Sequence, residues 1–495
     1  MILHVTSRIL KQLFYSQKKL EQDMGDPRGF MTVSRIEAGY RPKEERVFDY
    51  GEVEQTLNEK DRRLQASRCM DCGIPFCHWG CPVGSKIPEW QDAVYRGNKE
   101  EAYYILHSTN SFPEITGRVC PAPCEKSCVL DIHEEAVTIR ENECATVEHA
   151  FDAGIVKPNP PLKRTGKKIA VIGSGPAGLS AADLLNRAGH TVTVFEKNDS
   201  IGGLLRYGIP DFKLNKRIID RRLAIFVDEG IEFKPNVNVG VDISKDELLK
   251  KFDAVVLAIG AEQPRDLEIE GRDLNGVHFA MDFLMQQNKV VAGQSIPDEE
   301  RIYAEGKNVL VIGGGDTGSD CVGTSVRQKA RSVTQIEILP KPPEKRVNNP
   351  WPYWPDTLRT SSSHKEGCER RWSLNTKKFI GENGVLKQAE IVKVEWNKDV
   401  NGRWVMTEVP GTVEIIDVDL VLLSMGFTQP VHIGLLENLD IEYDPRGNVL
   451  VNEKKQTSVD KIFAAGDAEK GASLVVHAIE AGKVAAKNVD EFLRN

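Results

Sequence analysis

Two periodicities divide the chain. Between residue 24 and about residue 150, apolar positions recur at three- and four-residue spacing over Glu52–Arg68, Trp90–Ser108 and Ile139–Ala153. That spacing predicts helices, and no convincing strand pattern interrupts them. After a polar, proline-rich linker at 157–168 (KPNPPLKRTGKK), the texture changes at Ile169. IAVIGSGPAGLSAADLLNRAGHTVTVFEK reads as strand, glycine-rich turn, helix, glycine, strand. The same grammar returns about 140 residues later, from Asn308, as NVLVIGGGDTGSDCVGTSVRQKARSVTQIEIL, an internal repeat of one βαβ unit. Each unit is followed by an apolar strand ending in glycine, AVVLAIGA (254–261) and LVLLSMGF (420–427). The tail from KIFAAGDAEKGASLVVHAIEAGKVAAKNV reads as a return to the first repeat, so the second repeat is inserted into it.

Each repeat carries the chemistry of a dinucleotide site. In Gly173-x-Gly175-x-x-Gly178, the first glycine permits the tight turn, the second lets backbone approach a pyrophosphate, and the third lets helix and strand pack closely. The helix that starts at Pro176 presents unpaired N–H groups, from Ala177 onward, to that pyrophosphate. Glu196 ends the next strand, where a carboxylate can bind both ribose hydroxyls. FAD is favoured here because IGGLLRYGIP (201–210) sets Gly203 and Leu204 beside the expected ribityl chain, with Gly260 closing the neighbouring strand. Gly466-Asp467 then places a carboxylate for the ribitol. A helix from about Ala472, with Ser473 in its first turn, aims its N-terminus at the flavin.

The second motif, Gly313-Gly314-Gly315-Asp316-Thr317-Gly318, fits the same physics and is expected to hold the nicotinamide dinucleotide. Glu337 lies near where an acid selects NAD, whereas Lys341, Lys345, Arg346 and the earlier Arg327 suit a 2′-phosphate. NADPH is favoured over NADH, because Glu337 alternates out of phase with the strand end.

Composition adds a third site. Eight of the 10 cysteines fall between Cys69 and Cys144. No secretory signal precedes them, so metal is favoured over disulfides and a reducing cytoplasm over export. The run Cys69-x2-Cys72-x4-Cys77-x3-Cys81-Pro82, then Cys120-x3-Cys124-x3-Cys128, departs from paired zinc knuckles and is similar to 4Fe-4S ligation. Seven cysteines cannot fill two all-cysteine clusters, and either Cys144 or Glu143 can supply the eighth ligand. Structural zinc in a non-catalytic assembly subunit is the competing reading, and flavin chemistry next door weighs against it, since zinc carries no electrons. Cys321 reads as a packing residue.

The picture is therefore α/β: a helical iron–sulfur domain (24–160), then Rossmann-like FAD (165–295 and 425–495) and NADPH (296–424) domains. Residues 1–23 are expected to be an N-terminal extension, with Met1 and Met24 both open as the start. At 495 residues, 28% charged, a net charge of −8 and a mean hydropathy of −0.36, the chain has no charge that invites nucleic acid and no run long enough for a membrane span.

The combined motifs closely resemble the small subunits of bacterial NADPH-dependent glutamate synthases. The most specific stretches are GRVCPAPCEKSC (117–128), IGGLLRYGIPDFKL (201–214), VIGGGDTGSDCVGT (311–324), NPWPYWP (349–355) and AAGDAEKGASLVVHAI. The N-terminal half of dihydropyrimidine dehydrogenase and flavin-based transhydrogenase subunits share the architecture. The resemblance implies two interleaved 4Fe-4S clusters, Cys69, Cys72, Cys77 and Cys128 on one, and Cys81, Cys120, Cys124 and Glu143 on the other. It further implies that Lys341 and Arg346 contact the NADPH phosphate. It also implies a large FMN-containing partner subunit with a glutaminase domain, forming a hetero-oligomer that makes glutamate from glutamine and 2-oxoglutarate. An electron-transfer flavoprotein serving ferredoxin is the alternative. The stretch 349–373 reads as a loop over the nicotinamide domain.

Overall fold

The computed structural model describes residues 26–347 and 349–495, so the N-terminal extension expected at 1–23 lies outside the described residues. The chain separates into two units.

The described residues of the first unit are 26–39, 54–157 and 349–355. Its frame is helical: Glu59–Ala66, Ile87–Arg96, Lys99–His107, Pro113–Val119 and Ile139–Asp152. Asn58 caps the first of these by accepting the Asp61 N–H at 3.0 Å. The continuous helix expected over Trp90–Ser108 is broken, because Gly97 adopts a left-handed φ of 82° and closes the first piece. Trp90, Leu106 and Ile139 are buried at the centre. Side chains of this kind contribute about 1.5–3 kcal/mol each when fully buried. Two short helices, Phe76–Gly80 and Pro123–Lys126, carry cysteines onto this frame.

The second unit holds two five-stranded sheets whose paired strands all run parallel. The first has the order 462–464, 254–257, 168–172, 191–195, 232–234, so the chain's last strand returns to the earlier sheet. The second has the order 277–279, 420–423, 308–312, 332–337, 369–372. Ala254–Leu257 and Leu420–Leu423 are buried at every position, as strands covered on both faces must be. Helix Val475–Arg494 closes on helix Pro176–Arg187, where Ser180 Oγ donates to the Ile479 carbonyl at 2.9 Å. Gly482 makes that approach possible, since a Cβ there would lie 2.2 Å from the Ala177 carbonyl oxygen. An antiparallel sheet of 374–382, 385–398, 404–408 and 414–417 extends the inserted part.

Three boundaries differ from the sequence reading. Strand Val277–Phe279 and helix Ala280–Val291 lie upstream of residue 296, yet they belong to the second sheet and its core. Their apolar pattern alone does not say which sheet they join. Tyr40–Val53 belongs to the second unit, where Arg46 and Asp49 meet Glu366 and Arg327. Conversely, residues 349–355 belong to the first unit rather than to a loop over the nicotinamide domain. Among the described residues, no helix is long and apolar enough to cross a membrane.

Candidate functional site

The first glycine loop is built as its sequence demands. Gly173 has φ of 98°, and a Cβ on it would lie 2.3 Å from the Ala258 carbonyl oxygen. One on Gly178 would lie 2.0 Å from the Gly173 carbonyl oxygen, so both positions need glycine for packing. A Cβ on Gly175 meets no protein atom within 4 Å, as expected where a ligand rather than protein approaches. Gly175 precedes helix Pro176–Arg187; Pro176 has no N–H to give, and the first N–H groups, from Ala177 and Gly178 onward, face the same space. A Cβ on Gly203 would lie 2.9 Å from the Gly175 Cα, and Leu204 opens the short helix that follows.

A serine absent from the sequence reading ties these parts together. Ser174 Oγ donates to Glu196 Oε2 at 2.6 Å and accepts the Gly202 N–H at 2.9 Å. The other oxygen of Glu196 accepts from Asn198 N–H at 2.9 Å. Gly466 abuts Ala177, and Asp467 opens a separate short helix, Asp467–Lys470. The long helix begins only at Val475, later than Ala472. Burial raises the Asp467 carboxyl, opposed by Ser473 Oγ, which donates to Oδ1 at 2.7 Å. Gly260 has φ of 72° and open space at its Cβ position.

The second loop repeats the arrangement. Gly313 (φ 121°) presses on the Ser424 carbonyl, Gly318 on Gly313, and Gly315 again opens on space before helix Asp316–Arg327, which Asp316, Thr317 and Gly318 begin. Glu337, set out of phase by its sequence position, nonetheless turns its carboxylate onto the loop: Oε2 accepts the Gly314 N–H at 2.5 Å. Lys341 lies 5.6 Å from the Trp372 ring centre, and Arg346 follows in the same connection. Arg327 does not join them. Its side chain is 1% exposed and paired with Glu366, so it cannot meet a phosphate at the loop. Cys321 is fully buried in the core of this sheet, a packing residue.

In the first unit, Cys69, Cys72, Cys77 and Cys128 line one small cavity with Phe76, Ile87, Val137 and Ile139. Burial pushes Cys69 up to about 12 and raises Cys72, Cys77 and Cys128. Cys81, Cys120 and Cys124 form a second group, each acting electrostatically on the next. Burial pushes Cys120 up to about 12 and also raises Cys124 well above the ordinary thiol range. Glu143 acts on both Cys120 and Cys124, and burial pushes it up to about 7. Its Oε1 accepts from Thr116 Oγ1 at 2.7 Å and Asn110 Nδ2 at 2.9 Å. Cys144 instead presses its backbone on Gly117 and acts on Arg62 and Arg140.

Crowded, buried thiols resist ionisation, so a site that uses them as thiolates needs a cation to compensate. Four zinc-bound sulfurs would stand about 3.8 Å apart around one ion at 2.3 Å. Among the described residues, no three His, Cys, Asp or Glu groups converge on a single-ion position. Four thiols spread around one cavity fit a polynuclear iron–sulfur group better.

Trp351 packs behind two of the lining residues. Its Nε1 donates to the Cys128 carbonyl at 3.2 Å, and its ring lies 4.6 Å from Phe76, which in turn lies 5.0 Å from Trp79. Nothing in the sequence around Trp351 points to cysteines more than 200 residues earlier.

Two family models match the chain: "Pyridine nucleotide-disulphide oxidoreductase" over residues 167–482, and "Dihydropyrimidine dehydrogenase domain II, 4Fe-4S cluster" over residues 46–155. The glutamate synthase [NADPH] small chain of Mycobacterium tuberculosis is 50% identical over 95% of this chain and 96% of its own. That of Bacillus subtilis is 44% identical over 95% and 99%. The glutamate synthase [NADH] of Schizosaccharomyces pombe is 46% identical over 94% of this chain but only 22% of its own length. Among solved structures, FprA from Mycobacterium tuberculosis in complex with NADPH is 19% identical, with a TM-score of 0.51 over 66% of this chain and 86% of its own, a likeness of fold.

Proposed function

The chain belongs to the glutamate synthase small-chain family, and from that premise we propose that it is the electron-input subunit of such an enzyme, moving electrons from NADPH through FAD and two 4Fe-4S clusters to a larger partner. The observation that carries the reading is the union in one chain of two glycine loops open to ligand with four thiols around one cavity. When bound, the flavin accepts a two-electron hydride and the clusters carry single electrons.

The chain's own residues bind and orient. Gly175 and the helix behind it receive the FAD pyrophosphate, Glu196 the ribose, and Asp467 with Ser473 the ribityl side. Gly315 and its helix receive the NADPH pyrophosphate, with Lys341 and Arg346 on the 2′-phosphate. Hydride transfer would ask no side chain to act as a general base; what the two loops and their helices would supply is positioning. Cys69, Cys72, Cys77 and Cys128 hold one cluster, and Cys81, Cys120, Cys124 and Glu143 the other.

The partner is a large subunit. In the fission yeast relative, the matching region is about a fifth of one longer chain. We assign to the partner the FMN and the glutaminase chemistry, and place the pair in the reducing cytoplasm, where these cysteines escape oxidation to disulfides.

The test is anaerobic purification followed by cofactor analysis and reduction. FAD, iron and acid-labile sulfide are expected together, with flavin bleaching by NADPH faster than by NADH. Glutamate formation from glutamine and 2-oxoglutarate is expected only with the large subunit present. Flavin without iron or sulfide, or glutamate made by the isolated chain, defeats the proposal.

A smaller prediction concerns Trp351. Trp351→Ala removes both the hydrogen bond to the Cys128 carbonyl and the stack on Phe76, and is expected to speed loss of iron in air by about threefold to tenfold. Trp351→Phe keeps the ring and is expected to fall between Ala and the parent protein. Timed chelator release of iron measures both.

A further inference from the structure

Below the second glycine loop lies a buried amide that its sheet does not need. Gln335 is 2% exposed and pairs in register with Val311. In the first sheet the matching position, opposite Val171, is Val194. Burying an amide where an aliphatic side chain would serve costs free energy unless each polar atom is partnered. Here both are. Gln335 Nε2 donates to the Gly313 carbonyl at 2.8 Å, and Oε1 lies 2.8 Å from His364 Nε2.

The orientation of this pair follows from the helix next door. Ser361 caps helix Ser362–Gly367 in a reciprocal box. The Ser361 backbone N–H points at His364 Nδ1 at 3.1 Å. A backbone N–H can only donate, so Nδ1 is the acceptor and the ring proton sits on Nε2. His364 Nε2–H therefore donates to Gln335 Oε1, which turns the amide nitrogen to the Gly313 carbonyl. Burial, with Arg370 and Lys213 nearby, holds His364 down to about 4, so the ring stays neutral near pH 7.

We propose that His364 and Gln335 are positioning residues for the nicotinamide dinucleotide: a one-way hydrogen-bond relay from a helix cap that fixes the Gly313 carbonyl and hence the loop that receives the pyrophosphate. The relay is a property of the loop itself, and its consequence for NADPH rests on the function proposed above. It predicts that the residue at 364 must offer one acceptor and one donor, where a cap alone needs only the acceptor.

Two variants of the intact holoprotein separate these demands. Glutamine at 364 can accept the Ser361 N–H and donate to Gln335, whereas glutamate can only accept; both preserve the capping box. His364→Gln is expected to match the parent protein. His364→Glu is expected to raise the KM for NADPH and the Kd for NADP+, read from the flavin absorption, by about tenfold, with kcat changed less than about twofold. Without nucleotide, amide hydrogen exchange over 311–318 is expected to quicken in His364→Glu alone. Equal exchange in all three proteins, or equal impairment of both variants, overturns the relay. A parent protein that neither binds NADP+ nor is reduced by NADPH would instead overturn the proposed function, and exchange would still decide the relay.

Discussion

Replacing Cys77 with alanine is expected to lower the rate of electron delivery beyond the flavin by about a hundredfold while NADPH still reduces the flavin. Cys77 sits on the short helix Phe76–Gly80 and shares its cavity with Cys69, Cys72 and Cys128. Burial raises its thiol, and Cys69, Cys128 and Cys72 raise it further, so it forms a thiolate only when a cation joins the group. Alanine removes one of four corner ligands and places none in its stead. The second group of Cys81, Cys120, Cys124 and Glu143 keeps all its members. Iron and acid-labile sulfide should therefore fall to roughly half, not to zero. The glycine loops belong to the other unit, so NADPH bleaching of the flavin is expected to be unchanged. Stopped-flow absorbance at the flavin band, compared with turnover in the presence of the large subunit, measures the split. Full iron content in the variant would show that Cys77 is not a ligand.

The features legible in the sequence are those whose cause is local. Gly173 and Gly178 announce themselves because a turn and a close helix–strand contact each exclude a side chain within a few residues. The cysteine spacing is likewise local for Cys69, Cys72 and Cys77, which one loop and one short helix bring to the cavity. Contacts made across the chain left weaker traces. Arg327 has the charge expected of a phosphate ligand, and only the fold shows Glu366 already occupying it. Glu337 stands one place off the expected phase, yet a flexible side chain reaches the Gly314 N–H. His364 gave no signal at all, since a histidine in a six-residue helix has no periodicity to read, and Trp351 stood out only as part of NPWPYWP, which does not say what it touches. Gln335 left one trace, an amide at the strand position where the counterpart strand of the first repeat has Val194.

Glu366→Ala is expected to cost the second unit about 3–5 kcal/mol of stability. The Glu366 carboxylate is 1% exposed and serves two guanidinium groups: Arg327 Nη1 at 2.6 Å and Arg46 Nε at 2.7 Å. Arg46 is 6% exposed at its side chain and comes from Tyr40–Val53, the segment that the chain contributes to this unit from its N-terminal side. The guanidinium groups have other partners: Arg327 donates to the carbonyls of Gly323 at 2.9 Å and Asp49 at 3.0 Å, and Arg46 to that of Arg41 at 2.9 Å. The Phe212 ring centre lies 3.8 Å from the Arg327 guanidinium. None of these carries negative charge. Alanine would therefore leave Arg46 and Arg327 without a hydrogen-bonded counter-ion, with the Asp49 carboxylate acting on Arg327 only at a distance, which is the costly way to break such a group. Glu366→Gln keeps one acceptor oxygen in place and is expected to cost less, which separates loss of shape from loss of charge. Urea unfolding should show a lower midpoint with little change in slope. Added salt should restore little, because screening acts weakly on buried charge. Proteolysis is expected to attack 40–53 first, since Arg46 is the residue by which that segment reaches Glu366 and the Ser362 carbonyl. A midpoint within measurement error of the parent protein would mean that water or a rearranged side chain reaches both arginines, and that this ion triad does not hold the segment in place.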